Sequence, residues 1–216
     1  MNMRALGPVV LAGCLSTPLQ RVETLGAGQY EVAVEGGVST LDQRVLPTAN
    51  VAVRYGGSDR VDLGLRVGTQ LYEVQAKFLL SSLEADFPVS LAPSFTAISG
   101  RDPFGGPEQV TVVFTSFPVL IGVPLAGGHQ LVVAPGINPT FGGVGIDDAA
   151  VLIEPRLSVG LSARLSPVVR LHPELAASVD AFSVGADGLQ GSAGLVRFAG
   201  ALSFAFGNGY REPPAR

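Results

Sequence analysis

The chain has 216 residues, which is enough for one domain or two small ones. Its 28 Gly and 16 Pro residues exclude a helical bundle, and its 47% apolar composition excludes a disordered chain. The net charge of -4, with Lys77 as the only lysine, excludes the basic surface of a nucleic-acid-binding protein. No uninterrupted apolar run is long enough for a membrane-spanning helix. These exclusions leave a glycine-rich all-β protein as the predicted class.

The first residues have the layout of a secretory signal, with Arg4 before a short apolar stretch. The tetrad Leu-Ala-Gly-Cys that ends this stretch resembles the bacterial lipobox, whose cysteine is acylated and becomes the mature N-terminus. Cys14 is the only cysteine of the chain, which fits one covalent task better than a disulfide framework. We expect a signal peptide over 1–13, lipid attachment at Cys14 and an N-terminal tether over 14–27. The alternative is an ordinary free thiol.

Beyond the tether, apolar and polar residues alternate with the period of β-strands. The region 69–87 contains no Gly or Pro and is also compatible with a helix, but strict alternation from Tyr72 to Leu80 favours a strand. The predicted strands are 28–38, 49–56, 60–68, 71–81, 86–98, 109–125, 129–139, 150–165, 168–181 and 194–207.

The charged residues of these segments share one face. Where a segment contains more than one charge, all its charges fall on the parity opposite to the apolar residues. Acids and bases are equal in number, so the charges of this face cancel. The predicted network consists of Glu31, Glu35, Arg54, Asp62, Arg66, Glu73, Lys77, Glu154, Arg156, Arg164, Arg170, His172, Glu174, Asp180 and Arg197.

The sequence must also indicate which face is buried. A soluble barrel turns its apolar face inward, whereas a membrane barrel turns it toward lipid and fills the lumen with polar groups. The charged face here contains many small residues, and its bases are mostly arginine, which suits paired groups in a crowded interior. We therefore predict the membrane arrangement. A soluble periplasmic barrel that binds a lipid with its apolar face is the alternative.

The connections between the segments alternate in length. Short links at 57–59, 82–85, 126–128 and 166–167 alternate with longer ones at 39–48, 99–108, 140–149 and 182–193, and only the link at 69–70 breaks this pattern. Outer-membrane barrels have short periplasmic turns and longer outer loops. The predicted fold class is all-β, a closed antiparallel up-and-down transmembrane barrel over 28–207. It has about ten strands, with eight as the alternative, and a C-terminal tail at 208–216.

Several short motifs resemble small outer-membrane β-barrel proteins of Gram-negative bacteria, many of which begin with a lipobox. Besides the tetrad ending at Cys14, they are 24–32 (TLGAGQYEV), 53–56 (VRYG), 58–66 (SDRVDLGLR), 75–77 (QAK) and 170–174 (RLHPE). The final strand, with Phe204 and Phe206, resembles the signal that the barrel-assembly machinery reads. The resemblance implies a cell outer membrane location, with outer-membrane lipid and that machinery as partners, and implies no specific activity.

The sequence also offers a candidate catalytic residue. His172 lies on the charged face, so an outer-membrane hydrolase that uses His172 and a lumenal serine is one hypothesis. A member of the lumenal polar network is the simpler interpretation. The sequence has no zinc-ligand spacing, phosphate-binding loop or dinucleotide motif, so we predict no metal and no cofactor. The favoured function is non-enzymatic, either a narrow selective pore or a structural role in the envelope.

Overall fold

The computed structural model describes residues 20–41, 44–68, 71–101, 109–141, 151–179, 182–185, 188–191 and 196–208. Nearly all of these residues lie in antiparallel strands of one sheet. The strands are β1 (Tyr30–Leu41), β2 (Arg44–Gly56), β3 (Val61–Gly68), β4 (Leu71–Leu79), β5 (Val89–Leu91), β6 (Ser94–Arg101), β7 (Gln109–Pro124), β8 (Gln130–Phe141), β9 (Val151–Arg164), β10 (Val169–Val179), β11 (Phe182–Gly185), β12 (Gly188–Gly191) and β13 (Val196–Gly207).

The sheet closes on itself. The first strand, β1, pairs with β2 on one side and with β13 on the other, and β13 continues through β10 to β9. Two elements, β5 and β6, form one barrel strand because both lie between β4 and β7. The hairpin of β11 and β12 extends from β9 and adds no strand to the ring. The result is a ten-stranded antiparallel barrel, as the alternation and the links predict.

Polarity is reversed relative to a soluble protein. On β1, Tyr30 is 52% exposed on the outer surface while the next residue, Glu31, is 2% exposed in the lumen. The same alternation continues around the ring, where Leu63, Leu65 and Leu157 are all at least half exposed. The alternative of a soluble barrel with its apolar face turned inward is therefore wrong, because that face is the outer surface.

Two predicted connections contain more structure than the sequence indicates. Most of the predicted loop 39–48 belongs to β1 and β2, which run on to Leu41 and from Arg44. The predicted loop 182–193 contains the β11–β12 hairpin, which pairs with the end of β9. Both predictions were wrong because turn-forming residues lie inside these strands without ending them, as Pro47 does in β2, or belong to the paired strands of the hairpin, as Gly185 and Gly188 do.

The helix considered for 69–87 is not present in its described part, where β4 runs from Leu71 to Leu79. Among the described residues, no helix is long and apolar enough to cross a bilayer. Prolines occur inside strands where the pairing is interrupted. Pro118 of β7 lies opposite the break between β5 and β6, and its carbonyl oxygen accepts a hydrogen bond from Ala92 N at 3.0 Å.

Candidate functional site: the lumen and its internal segment

The lumen wall contains the predicted charge network. Of the predicted members that the structure describes, Arg164 is half-buried and all others are buried. Asp180 and the predicted lipid attachment site Cys14 lie outside the described residues. The buried members are Glu31, Glu35, Arg54, Asp62, Arg66, Glu73, Lys77, Glu154, Arg156, Arg170, His172, Glu174 and Arg197.

Strand register produces the ion pairs of one wall. Glu31 lies directly opposite Arg54, and the two side chains form a salt bridge. The same direct opposition joins Asp62 to Lys77, with 2.9 Å between Oδ2 and Nζ. Opposite charges at such cross-strand positions stabilise the pairing of the strands. These pairs therefore neutralise the wall where β1 meets β2 and where β3 meets β4.

Arg66 joins two carboxylates. Its Nη1 lies 2.9 Å from Oε1 of the cross-strand residue Glu73, and its Nε lies 2.7 Å from Oε2 of Glu35. Glu73 also accepts a hydrogen bond at 3.1 Å from Thr96 Oγ1. Burial of a carboxylate is unfavourable without a cation or a hydrogen-bond donor. Arg66 thus makes it possible to enclose both acids.

The strands on the other side of β1 also make contacts that skip a neighbouring strand. Arg197 of β13 forms a salt bridge with Glu154 of β9, across the intervening strand β10. Arg170 donates to Ser162 Oγ at 3.1 Å and to the carbonyl oxygen of Gly128 at 3.2 Å. These bonds connect the lumen to the turn that follows β7.

A second feature was not predicted from the sequence: residues 20–25 lie inside the barrel. Gln20, Val22, Thr24 and Leu25 are all buried, and Val22 is completely so. This internal segment occupies the turn end of the barrel, which we define by the connections 57–60, 80–88, 125–129 and 165–168. The internal segment belongs to the predicted tether over 14–27, which the structure describes from residue 20 onward. The role of this region as a tether stays a prediction.

Glycines lead the chain from the internal segment into β1. Gly26 and Gly28 have φ values of 97° and 75°, in the left-handed region that favours glycine. Gly28 N donates to the carbonyl oxygen of Gly56 at 2.8 Å. A Cβ at Gly56 would overlap the carbonyl oxygen of Gly26, so the wall also needs glycine here.

The wall holds the internal segment mainly through its backbone. Leu25 N donates to Asp62 Oδ1 at 3.0 Å, and the ammonium group of Lys77 donates to the carbonyl oxygens of Arg21 and Glu23 at 3.3 and 2.8 Å. Together with the Asp62 salt bridge, these bonds use all three donors of the lysine. The Asp62–Lys77 pair therefore both neutralises the wall and binds the segment.

Val22 is the central anchor of the internal segment. Its N–H donates to Gln130 Oε1 at 3.0 Å, and its carbonyl oxygen accepts from Ser90 Oγ at 2.6 Å. Its side chain belongs to an apolar cluster that joins the segment to the wall, formed with Ala92, Leu120, Val132 and Ala134. Both the backbone and the side chain of this residue are thus bound.

His172 is the candidate base of the hydrolase hypothesis. It lies directly opposite Ser203 in the β10–β13 ladder, and both side chains are buried in the lumen. Neither His172 Nε2 nor Ser203 Oγ has a hydrogen-bond partner among the described residues. Strand register brings the two together, but no hydrogen bond joins these two side chains to activate the serine as a nucleophile. The described residues also contain no group of ligands suited to a metal ion.

Comparison with known proteins yields structural likenesses only. No protein-family model matches the chain, and no curated protein sequence matches it. Three similar structures are the translocator domain of the autotransporter NalP from Neisseria meningitidis, the outer membrane protein OprG from Pseudomonas aeruginosa, and the CymD monoaromatic hydrocarbon channel. In this order, the three structures have sequence identities of 11, 10 and 8% and TM-scores of 0.37, 0.33 and 0.31. The alignments cover 84, 86 and 99% of this chain and 88, 97 and 100% of the other chains. The assignment of the barrel fold rests on this chain's own strand register and closed ladder.

Proposed function

We propose that this protein is an outer-membrane β-barrel with no enzymatic activity. The reversed polarity carries the proposal. Apolar side chains form the outer surface on strand after strand, as Val34, Leu65 and Phe204 illustrate at 56, 50 and 44% exposed. Such a continuous apolar surface is unfavourable in water and suits hydrocarbon, while the closed ladder pairs each of the ten barrel strands on both sides.

The contents of the lumen support a narrow or closed passage rather than a general pore. A ring of ten strands has a small interior. Ion pairs line it, and the internal segment, residues 20–25, fills its turn end. A solute of appreciable size would have to displace that segment. We therefore favour a structural envelope role or a selective passage that opens when the segment moves.

Lipid attachment at Cys14 and a periplasmic turn end are further parts of the proposal. Five residues lie between Cys14 and Gln20, and the six Cα-to-Cα steps of this extended chain would span about 20 Å, enough to reach a bilayer surface from the barrel. The final strand, with Phe204 and Phe206 on its outer face, suits recognition by the barrel-assembly machinery. Mass measurement of the mature N-terminus tests the anchor, since an unmodified Cys14 would refute it.

Fractionation tests the location. The full chain, expressed in a Gram-negative host, should stay with the outer membrane after osmotic shock. It should also migrate differently on gels before and after boiling, because a closed barrel resists detergent until it is heated. Release with the periplasmic fraction would contradict the proposal.

Conductance tests the state of the lumen. In a planar bilayer the full chain should remain closed or open only in small, rare steps. Large constant conductance from the intact chain would refute the closed or selective passage while leaving the membrane location intact.

A further inference from the structure

The internal segment is bound as a peptide ligand would be bound. Five backbone groups of its six residues are held by wall side chains: the N–H groups of Val22 and Leu25, and the carbonyl oxygens of Arg21, Val22 and Glu23. Backbone groups are common to all polypeptides, so this pattern of recognition depends little on sequence.

Sequence enters at two positions. The Val22 side chain fills an apolar pocket that is lined in part by the small side chains of Ala92 and Ala134. A branched side chain of similar size fits there, and a charged one would be buried without a partner. The second position is Glu23, whose carboxylate accepts from Gln130 Nε2 at 3.0 Å and pairs with Arg21 at 3.2 Å.

The wall side chains that bind the backbone come from different strands. Asp62 belongs to β3, Lys77 to β4, Ser90 to β5 and Gln130 to β8, and all four are buried. The barrel ladder, and not the segment, holds these strands in place. We expect the site to persist when its occupant leaves, which is the property of a binding site rather than of a core.

We propose that the turn end of the lumen is a binding site for extended polypeptides, in which residues 20–25 are the resident ligand. A polypeptide segment with a valine-sized side chain at the position of Val22 takes the site when the resident segment is displaced. This inference concerns the site itself and holds in detergent as in a membrane, so its failure and that of the proposed function are distinguishable.

A cleavable form of the full chain tests the proposal. A protease recognition sequence is inserted between Ala27 and Gly28, the protein is folded in detergent, and the linker is then cut. Binding of a fluorescent peptide with the sequence of residues 20–27 is followed by anisotropy. We expect saturable binding to the cut barrel and at least tenfold weaker binding to the uncut one, because the tethered segment competes at an effective concentration near the millimolar range.

Matched variants separate specific binding from detergent or surface effects. A peptide carrying Val22→Asp should bind at least tenfold more weakly, since its carboxylate would enter the apolar pocket. Ser90→Ala in the barrel should weaken binding roughly 3- to 10-fold, because one hydrogen bond to the segment is lost. Ser116→Ala is the control, since this buried serine donates its hydrogen bond to Asn138 at 2.7 Å and not to the segment.

The contrary results are equally defined. No saturable binding to a cut barrel that keeps its folded gel mobility would overturn the proposal. Equal affinity for the Val22→Asp peptide, or equal weakening by Ser90→Ala and Ser116→Ala, would overturn it as well. Each barrel variant is compared only if it keeps the folded gel mobility of the unmodified barrel, so failure to fold cannot imitate any of these results.

Discussion

An arginine placed on the outer face should distinguish lipid from water around the barrel. Leu65 is half exposed at the middle outward position of β3, and its cross-strand neighbours are Val53 and Val74, which are 45 and 54% exposed. A guanidinium group at this position has only apolar outer neighbours. In hydrocarbon at mid-depth, Leu65→Arg should destabilise the barrel by about 2–4 kcal/mol. On a surface facing water the same change would fall within about 0.5 kcal/mol.

The chain lacks Trp, so gel mobility of folded and unfolded forms in lipid vesicles, titrated with urea, is a suitable measurement. Leu83→Arg is the matched control, because Leu83 is 48% exposed in the connection 80–88 at the turn end, where an arginine costs about 0–1 kcal/mol. Equal effects of the two arginines, or a loss below 0.5 kcal/mol at Leu65, would refute the placement of the outer face in hydrocarbon.

Three other experiments probe the lumen. Gly56→Ala adds a Cβ that overlaps the turn leading out of the lumen, so the internal segment should be released and trypsin should cut it faster. Gly57→Ala is the control, because the nearest atom to its added Cβ is 3.6 Å away, and it should leave the rate of cutting unchanged. Arg66→Met removes the cation that two buried carboxylates share, and should destabilise the barrel by about 3–5 kcal/mol in urea titrations. The variants His172→Ala and Ser203→Ala should fold normally, and they should hydrolyse ester or peptide substrates no more slowly than the unmodified protein. A specific loss of hydrolysis in these variants would support the hydrolase hypothesis.

The barrel was predictable because period-two alternation assigns each residue to a face without knowledge of its partners. Once the charges occur on one parity, register brings opposite charges together, as it does for Glu31 with Arg54 and Asp62 with Lys77. Polarity was predictable for the same reason. An outer face on which large apolar residues recur from strand to strand is unfavourable in water.

The internal segment was not predictable, because residues 20–25 have no period and contact strands from distant parts of the chain. Val22 is 108 residues from Gln130 and 68 from Ser90. Two signals exist in retrospect: isolated apolar residues at Val22 and Leu25 among polar ones, and the glycines that follow them. Neither specifies which strands will receive the segment, since that depends on the closed barrel.

The charge balance explains how a polar segment can remain enclosed. Six acids and six bases of the predicted network are buried on the described wall, and the segment adds one of each in the Arg21–Glu23 pair. Its entry therefore leaves the net charge of the lumen unchanged, and the wall binds its backbone with groups already used in ion pairs, as Lys77 and Asp62 are. A replacement polypeptide must meet the same two conditions, internal charge compensation and an apolar residue at the central position, so these conditions, more than the width of the barrel, select what can occupy the turn end.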